Sequence, residues 1–331
     1  MPDPALLGPW IRRFLLEHVV AERNLARNTQ TSYRDTLRLL LPFLQSVTGA
    51  AIDSLAVEAL TPSIVRRFLA HREQARGCGG ATRNLRLGAL HSLAKFIGSR
   101  SPEHLAWAIE VRAVPFKKTA TPTLAYLDKP EVEAVLQAPN RQTLQGTRDF
   151  AVLLFLYNTG ARADEAARLT VGDVTWGRTP AVRLLGKGNK TRQCPLWSRT
   201  ATALQVQAGG RAASERVFRN RLGLPLTRFG IYQLVRRAVA AASRHLPALG
   251  QKRIGPHSMR HTCAVHLLRA GVDLNTIRAW LGHVSLDTTH IYAEVDLEMK
   301  AKALAACEVP AAARVKRWRK EPALMEFLRT L

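Results

Sequence analysis

Between Val111 and Thr123 the hydrophobic periodicity of the chain stops. Pro115, Lys117, Lys118 and Pro122 fall in this one stretch, VRAVPFKKTATPT, which reads as an extended, basic linker over residues 113–123. That break divides the 331 residues into segments 1–112 and 124–331, each long enough to bury a core of its own. Before the break, apolar residues recur at helical spacing. Leu7, Ile11, Phe14, Leu15 and Val19 share one face of a helix over Leu6–Arg23. Tyr33, Leu37, Leu40, Leu41 and Leu44 mark a second helix, with Thr29 as its expected N-cap. Pro62 suits the first turn of a third helix, ended by Gly77–Gly80, and a fourth runs from about Ala81 to Ile97 with Leu85, Leu90, Leu93 and Ile97 on one side.

After the break the pattern changes. A helix near Lys129–Gln137 precedes a buried one through Phe150–Thr159. Three strand-like stretches follow, Val171–Trp176, Ala181–Leu185 and Thr191–Pro195. The last two are joined by Gly186-Lys187-Gly188-Asn189-Lys190, whose glycines and asparagine suit a tight hairpin. Helices then resume, with stops at Gly271 and Gly282. The expected class is mainly α: four to five helices in the first segment, and an α+β second segment with one small antiparallel sheet.

Charge says what such a chain approaches. Lys and Arg number 49 against 25 Asp and Glu, a formal charge of +24. The excess is spread over both segments, fifteen basic against nine acidic residues in 1–112 and thirty-four against sixteen in the remainder. With 47% hydrophobic residues this is not a disordered polycation, so the imbalance points to a folded protein that meets a polyanion. The polar helix faces of the first segment carry Arg34, Arg38, Arg66, Arg67, Arg72, Arg76, Arg83, Arg86 and Lys95. Such faces are often only solvated, but a nearly uniform sign favours phosphate contact. No run approaches the ~20 apolar residues of a membrane span; the longest, Ala151–Tyr157, is bounded by Asp149 and Asn158. The N-terminus lacks the order of a secretory signal. Four scattered cysteines without a C-x-x-C pair argue against a zinc site or a disulfide framework, and the chain is expected to be intracellular and to face DNA or RNA.

Four local signals carry chemistry. Thr159-Gly160-Ala161-Arg162-Ala163-Asp164-Glu165 ends an apolar helix and presents an arginine beside two acids, a pattern that alone reads as a helix salt bridge. The hairpin Gly186–Arg192 offers Lys187, Lys190 and Arg192 to a phosphate, without the G-x-x-x-x-G-K-[ST] spacing of a P-loop. His257-Ser258-Met259-Arg260 places His and Arg on one helical face. Leu281-Gly282-His283 is followed, nine residues after the histidine, by Tyr292. His257, His261 and His266 are spaced so that a metal is conceivable, but H-E-x-x-H is absent and no acid pairs with them, so no metal and no cofactor is expected.

Together, Arg162, Lys187 25 residues on, His257-x-x-Arg260, Leu-Gly-His283 and Tyr292 resemble the active site of the tyrosine recombinase (phage-integrase) family in order and spacing. Asn28-Thr29 with Tyr33, and Ala81-Thr82 with the helix after it, are similar to that family's core-binding domain, so the resemblance spans about residues 6–300. It implies a SAM-like core-binding domain in 1–112, a catalytic domain in 124–331, and cutting and rejoining of duplex DNA. It also implies assembly as a homotetramer on DNA, alone or with partner recombinases, in the bacterial cytoplasm and on the nucleoid when bound to DNA. Two guanidiniums are planar, permanently charged forks suited to a phosphorane's oxygens, the role implied for Arg162 and Arg260. Tyr292 is then the nucleophile and Lys187 the general acid, with Lys190 its rival within the hairpin. His257 and His283 assist at the phosphate, and Glu165 supports Arg162 or His257. DNA contacts are expected from Arg34, Arg38, Arg66, Arg83, Arg86, Lys117, Lys118, Lys190 and Arg192. Two other readings stay open at this point: a type IB topoisomerase, which resembles the family in its chemistry, and a non-catalytic DNA-binding relative. Tyr33, Tyr126, Tyr157 and Tyr232 are expected to be structural, and Trp280 to pack.

Overall fold

The computed structural model describes residues 5–119, 125–186 and 190–282, apart from the side chain of Arg76. The chain forms two compact units, Met1–Pro122 and Thr123–Leu331.

The first unit is helical. Helix α1 (Leu7–Arg13) runs directly into a nine-residue π-helical segment, Phe14–Glu22, so the single α-helix expected over Leu6–Arg23 widens halfway along. Apolar spacing cannot distinguish the two windings over so few turns. The wider turn keeps Phe14 and Val19 buried, with Phe14 stacked on Tyr33 at 5.7 Å between ring centroids. Helix α2 (Arg27–Thr48) starts from Ala26 rather than from Thr29, which lies within its first turn; the Gln30 side chain, donating to the Leu25 carbonyl at 2.7 Å, ties down the start instead. Helix α3 (Pro62–Arg76) has Thr61 as its cap, accepting from the Ile64 N–H at 3.2 Å, and Pro62 at the tolerated first position. Helix α4 (Gly80–Gly98) buries Leu87, Leu90, Leu93 and Ile97. Leu85, expected on that face, is 57% exposed, because the buried stripe passes through Arg83 and Leu87 instead. Helix α5 (Leu105–Arg112) closes the unit, with Trp107 donating to the Leu60 carbonyl at 3.0 Å. Beyond it, Asn84 grips Lys117 from both sides, accepting from its N–H at 3.0 Å and donating to its carbonyl at 2.8 Å. The first half of the linker is thereby laid against α4.

The second unit begins with α6 (Lys129–Gln137), where Asp128 and Glu131 make a capping box. Helix α7 (Leu144–Thr159) is buried along most of its length and ends at Gly160 with φ +60, a left-handed turn that a β-carbon disfavours. The short α8 (Ala163–Arg168) follows. Strands β1 (Val174–Thr175), β2 (Ala181–Leu185) and β3 (Thr191–Pro195) form an antiparallel sheet in the order β1-β2-β3. The first strand is shorter than Val171–Trp176 because Val171–Asp173 forms a 3-10 turn, capped by Thr170 with Asp173. Val182 pairs with Cys194 and Leu184 with Arg192, so these four side chains share one face of the sheet, toward the core of Phe155, Phe218 and Leu234. Helices α9 (Ser198–Ala208), α10 (Arg228–Ala242), α11 (Pro256–Arg269) and α12 (Leu274–Leu281) complete the described chain. Asp273 caps α12 by accepting from the N–H groups of Asn275 and Thr276, and Gly282 ends it at φ +65. No helix among the described residues is long and apolar enough to cross a membrane.

Candidate active site

Arg162 is placed by the break between two helices. Gly160 ends α7, and two residues later the extended backbone of Arg162 caps α8. Three positions on, Glu165 reaches back, accepting from the Arg162 N–H at 2.8 Å and from Arg162 Nη1 at 2.7 Å. The Arg162 side chain stays 37% exposed while the Glu165 carboxylate is buried. Its other partner comes from β3: Arg192 donates to Oε1 at 3.1 Å and to Oε2 at 2.7 Å. Burial alone would raise the pKa of Glu165, but the bonds and charge of Arg192, with those of Arg162, hold it below the ordinary glutamate value.

Arg260 arrives from α11 and is the largest side chain that is fully buried. Its Nη1 donates to the Gly160 carbonyl at 2.6 Å and its Nη2 to the Leu281 carbonyl at 2.5 Å. The guanidinium plane is therefore set by the carbonyl ends of α7 and α12, where negative helix-dipole charge favours a cation. His257, one turn earlier on α11, packs edge-on against His261 with ring centroids 4.4 Å apart. Burial, then the charges of Arg260 and Arg162, lower the pKa of His257; His261, buried beside His257 and Arg260, falls to about 4. Arg162, His257 and Arg260 open on one pocket of about 480 Å³, shared with Arg228, Phe229 and Tyr232 of α10. Two guanidiniums and an imidazole held neutral at neutral pH thus converge on a space that accepts an anion.

Tyr232, expected to be structural, is 43% exposed at this pocket, and neither Arg228 nor Phe229, 66% exposed, is conspicuous in the sequence. Their one signal is a basic and an aromatic residue at a helix start, immediately after the Thr227 cap. Tyr157, by contrast, is tied to His266 at 2.7 Å, and burial pushes its phenol up to about 12. Tyr126 lies under the guanidinium of Arg269. Trp280 packs against the core and offers its carbonyl to Arg192 Nε at 2.8 Å. Lys187, His283 and Tyr292 lie outside the described residues. Among the described residues no cluster of histidine, cysteine and acidic side chains is arranged to hold a metal.

The residues expected on DNA separate into two groups. Arg34, Arg38, Arg66, Lys117, Lys118 and Lys190 are exposed and Arg86 is half-buried. Arg83 and Arg192 are turned inward: Arg83 donates to the Pro115 carbonyl at 3.3 Å and to Asn84 at 3.1 Å, and Arg192 to Glu165 and Trp280. The strand alternation that buries Cys194 could have placed Arg192, two residues earlier, on the inner face.

Residues 125–299 match the profile described as the phage integrase family, and residues 11–100 match its N-terminal SAM-like domain. The chain belongs to the phage integrase family. It is 35% identical over 333 residues to y4rC of Sinorhizobium fredii, which bears an integrase/recombinase name, with all of both chains covered. It is 32% identical over 296 residues to the tyrosine recombinase XerC of Pelobacter propionicus, covering 87% of this chain and 91% of that one. In fold it is similar to the Tn1549 transposon integrase solved in complex with a circular intermediate DNA, with a TM-score of 0.67 at 17% identity over 90% of this chain and 99% of that one. Arg162, His257 and Arg260 all fall within the matched residues 125–299.

Proposed function

We propose that this protein is a site-specific DNA recombinase that cuts and rejoins duplex DNA through a covalent 3′-phosphotyrosyl intermediate, without a metal ion. The observation that carries the reading is the convergence of Arg162, His257 and Arg260 on one pocket, with both arginines fixed by other groups. Attack on a phosphodiester builds a pentacoordinate phosphorane with added charge on its equatorial oxygens, and preset planar donors stabilise that charge without reorganising. Tyr292 supplies the attacking phenolic oxygen. The bond from phosphorus to the 5′-oxygen breaks, and Lys187 gives that oxygen its proton. A second 5′-hydroxyl then attacks the phosphotyrosine and releases the phenol, so the bond is conserved and no nucleotide cofactor is consumed. His257 and His283 handle protons and hydrogen bonds at the phosphate. Four protomers, alone or with partner recombinases, exchange strands of two duplexes through a Holliday junction.

A nicked suicide substrate tests this. The wild-type chain should become covalently attached to DNA, in EDTA as well as in buffer, and Tyr292→Phe should bind without forming the adduct. An adduct that persists in Tyr292→Phe places the nucleophile elsewhere. The stretch Leu297–Leu331 after Tyr292 is long enough to reach a neighbouring protomer, so truncation after about Ala305 should leave DNA binding and impair synapsis; unchanged recombination would refute assembly through that stretch.

A further inference from the structure

One buried cation at the site meets no substrate in this scheme. The Arg192 side chain is 7% exposed and its guanidinium joins two elements: Nη1 and Nη2 hold the two oxygens of Glu165 on α8, while Nε holds the Trp280 carbonyl in the last turn of α12. Its stem lies against Gly282, where a β-carbon would come within 3.1 Å of Arg192 Cδ. Each oxygen of Glu165 then serves two donors. Oε1 takes Arg162 Nη1 and Arg192 Nη1, and Oε2 takes the Arg162 N–H and Arg192 Nη2. The carboxylate cannot turn without breaking bonds on both sides.

We infer that Arg192 is a positioning residue for strand cleavage: through Glu165 it fixes the orientation of the Arg162 guanidinium, and through the Trp280 carbonyl it fixes the end of α12, from which the chain continues to His283. The inference rests on the recombinase reading above. A buried ion pair is a poor source of net stability, since desolvation offsets most of its attraction. It does give a fixed geometry, and the residue type fits that task. Three N–H groups of one rigid plane serve two oxygens of Glu165 and a carbonyl on another element, which the point charge of a lysine cannot do at once. The burial of its side chain and its three bonds within the protein favour this role over the DNA contact expected from sequence.

The test compares Arg192→Lys with the wild-type chain in three measurements: Kd for a duplex site, melting temperature, and the first-order rate of adduct formation on the nicked substrate at saturating DNA. Arg192→Lys should bind with an unchanged Kd and salt slope, yet cleave about 10- to 100-fold more slowly at saturation, the scale of a small misplacement at a reacting centre. A wild-type saturated rate overturns the inference, and so does a defect that disappears as DNA is raised, which would make Arg192 a DNA contact. The double variant Glu165→Gln/Arg192→Met removes both buried charges together. It carries the same comparison if Arg192→Lys does not fold: slow cleavage with intact binding supports the positioning role, and wild-type cleavage overturns it. Because Arg192 acts in part through Glu165, the loss in the double variant should fall short of the product of the losses in Glu165→Gln and in Arg192→Met alone, whereas losses that multiply would overturn the route through Glu165. A wild-type chain that forms no adduct sinks the recombinase reading rather than this one.

Discussion

The exposed basic residues of the first unit and the buried ones of the second are held in opposite ways. In the first, Arg34 pairs with its neighbour Asp35 and is 61% exposed, and Lys117 pairs with Glu73 at 54% exposed. Such pairs contribute about 0–1 kcal/mol, and the cation can leave its acid for a phosphate at little cost. In the second, Arg192 and Arg260 are buried and bound to carbonyls and a carboxylate in other elements, so they cannot follow a ligand. On the proposed reading, mobile charges serve binding to any stretch of duplex, Arg260 serves a single phosphate, and Arg192 holds the frame around it. The net charge of the chain sums both kinds and distinguishes neither.

The contrast is sharpest at Arg260. Arg260→Lys should slow adduct formation at saturating DNA by about 10²- to 10³-fold, as loss of a preset transition-state donor does. Its melting temperature should fall as well, because the Gly160 and Leu281 carbonyls lose the fork that joins them. A near-normal rate would break the distinction between fixed and mobile cations.

Glu165 gives a middle effect, with a sign that can be checked. Its folded pKa lies below the reference value of 4.5, so its contribution is complete above that value and is lost as pH falls through the depressed one. Glu165→Gln leaves Arg192 buried without its carboxylate, which should cost about 3–5 kcal/mol at neutral pH. It should also flatten the acid-side loss of stability in thermal melts as pH falls below about 4.5. Parallel curves for the two proteins would remove Glu165 from the set of fixed charges.

The smallest effects belong to the first unit. Arg38→Ala or Lys118→Ala should weaken DNA binding slightly, lower the slope of log affinity against log salt by about 0.9 each, and leave the saturated cleavage rate alone. Arg83→Ala should do the reverse, lowering the melting temperature of the unit while the slope stays unchanged, because its fork is spent on the Pro115 carbonyl and Asn84. A reduced slope for Arg83→Ala would return that residue to the DNA surface.

Local signals were legible in the sequence and long-range partners were not. The limits of α6, the paired strands β2 and β3, and the glycine stops at Gly271 and Gly282 all follow from residues within a few positions of each element. So do His257 and Arg260, one helical turn apart. Arg192 meets Glu165 across 27 residues and Trp280 across 88, and no local pattern records either meeting. Arg83 likewise finds Pro115 across 32 residues. The π-helical turn at Phe14 and the start of α2 at Ala26 were hidden for a different reason: the same apolar residues satisfy both windings, and a threonine suited to a cap need not be used as one.

Gly160 shows where folding and chemistry cannot be separated. Its φ of +60 ends α7, its missing side chain admits the Leu281 methyl that a β-carbon would meet at 2.5 Å, and its carbonyl orients Arg260. A residue under one such constraint can drift, with neighbours compensating. Under all three at once, no second-site change restores everything that a substitution removes. Among variants that still recombine, this position should therefore be a fixed point of the sequence, and partial-activity alleles should arise elsewhere.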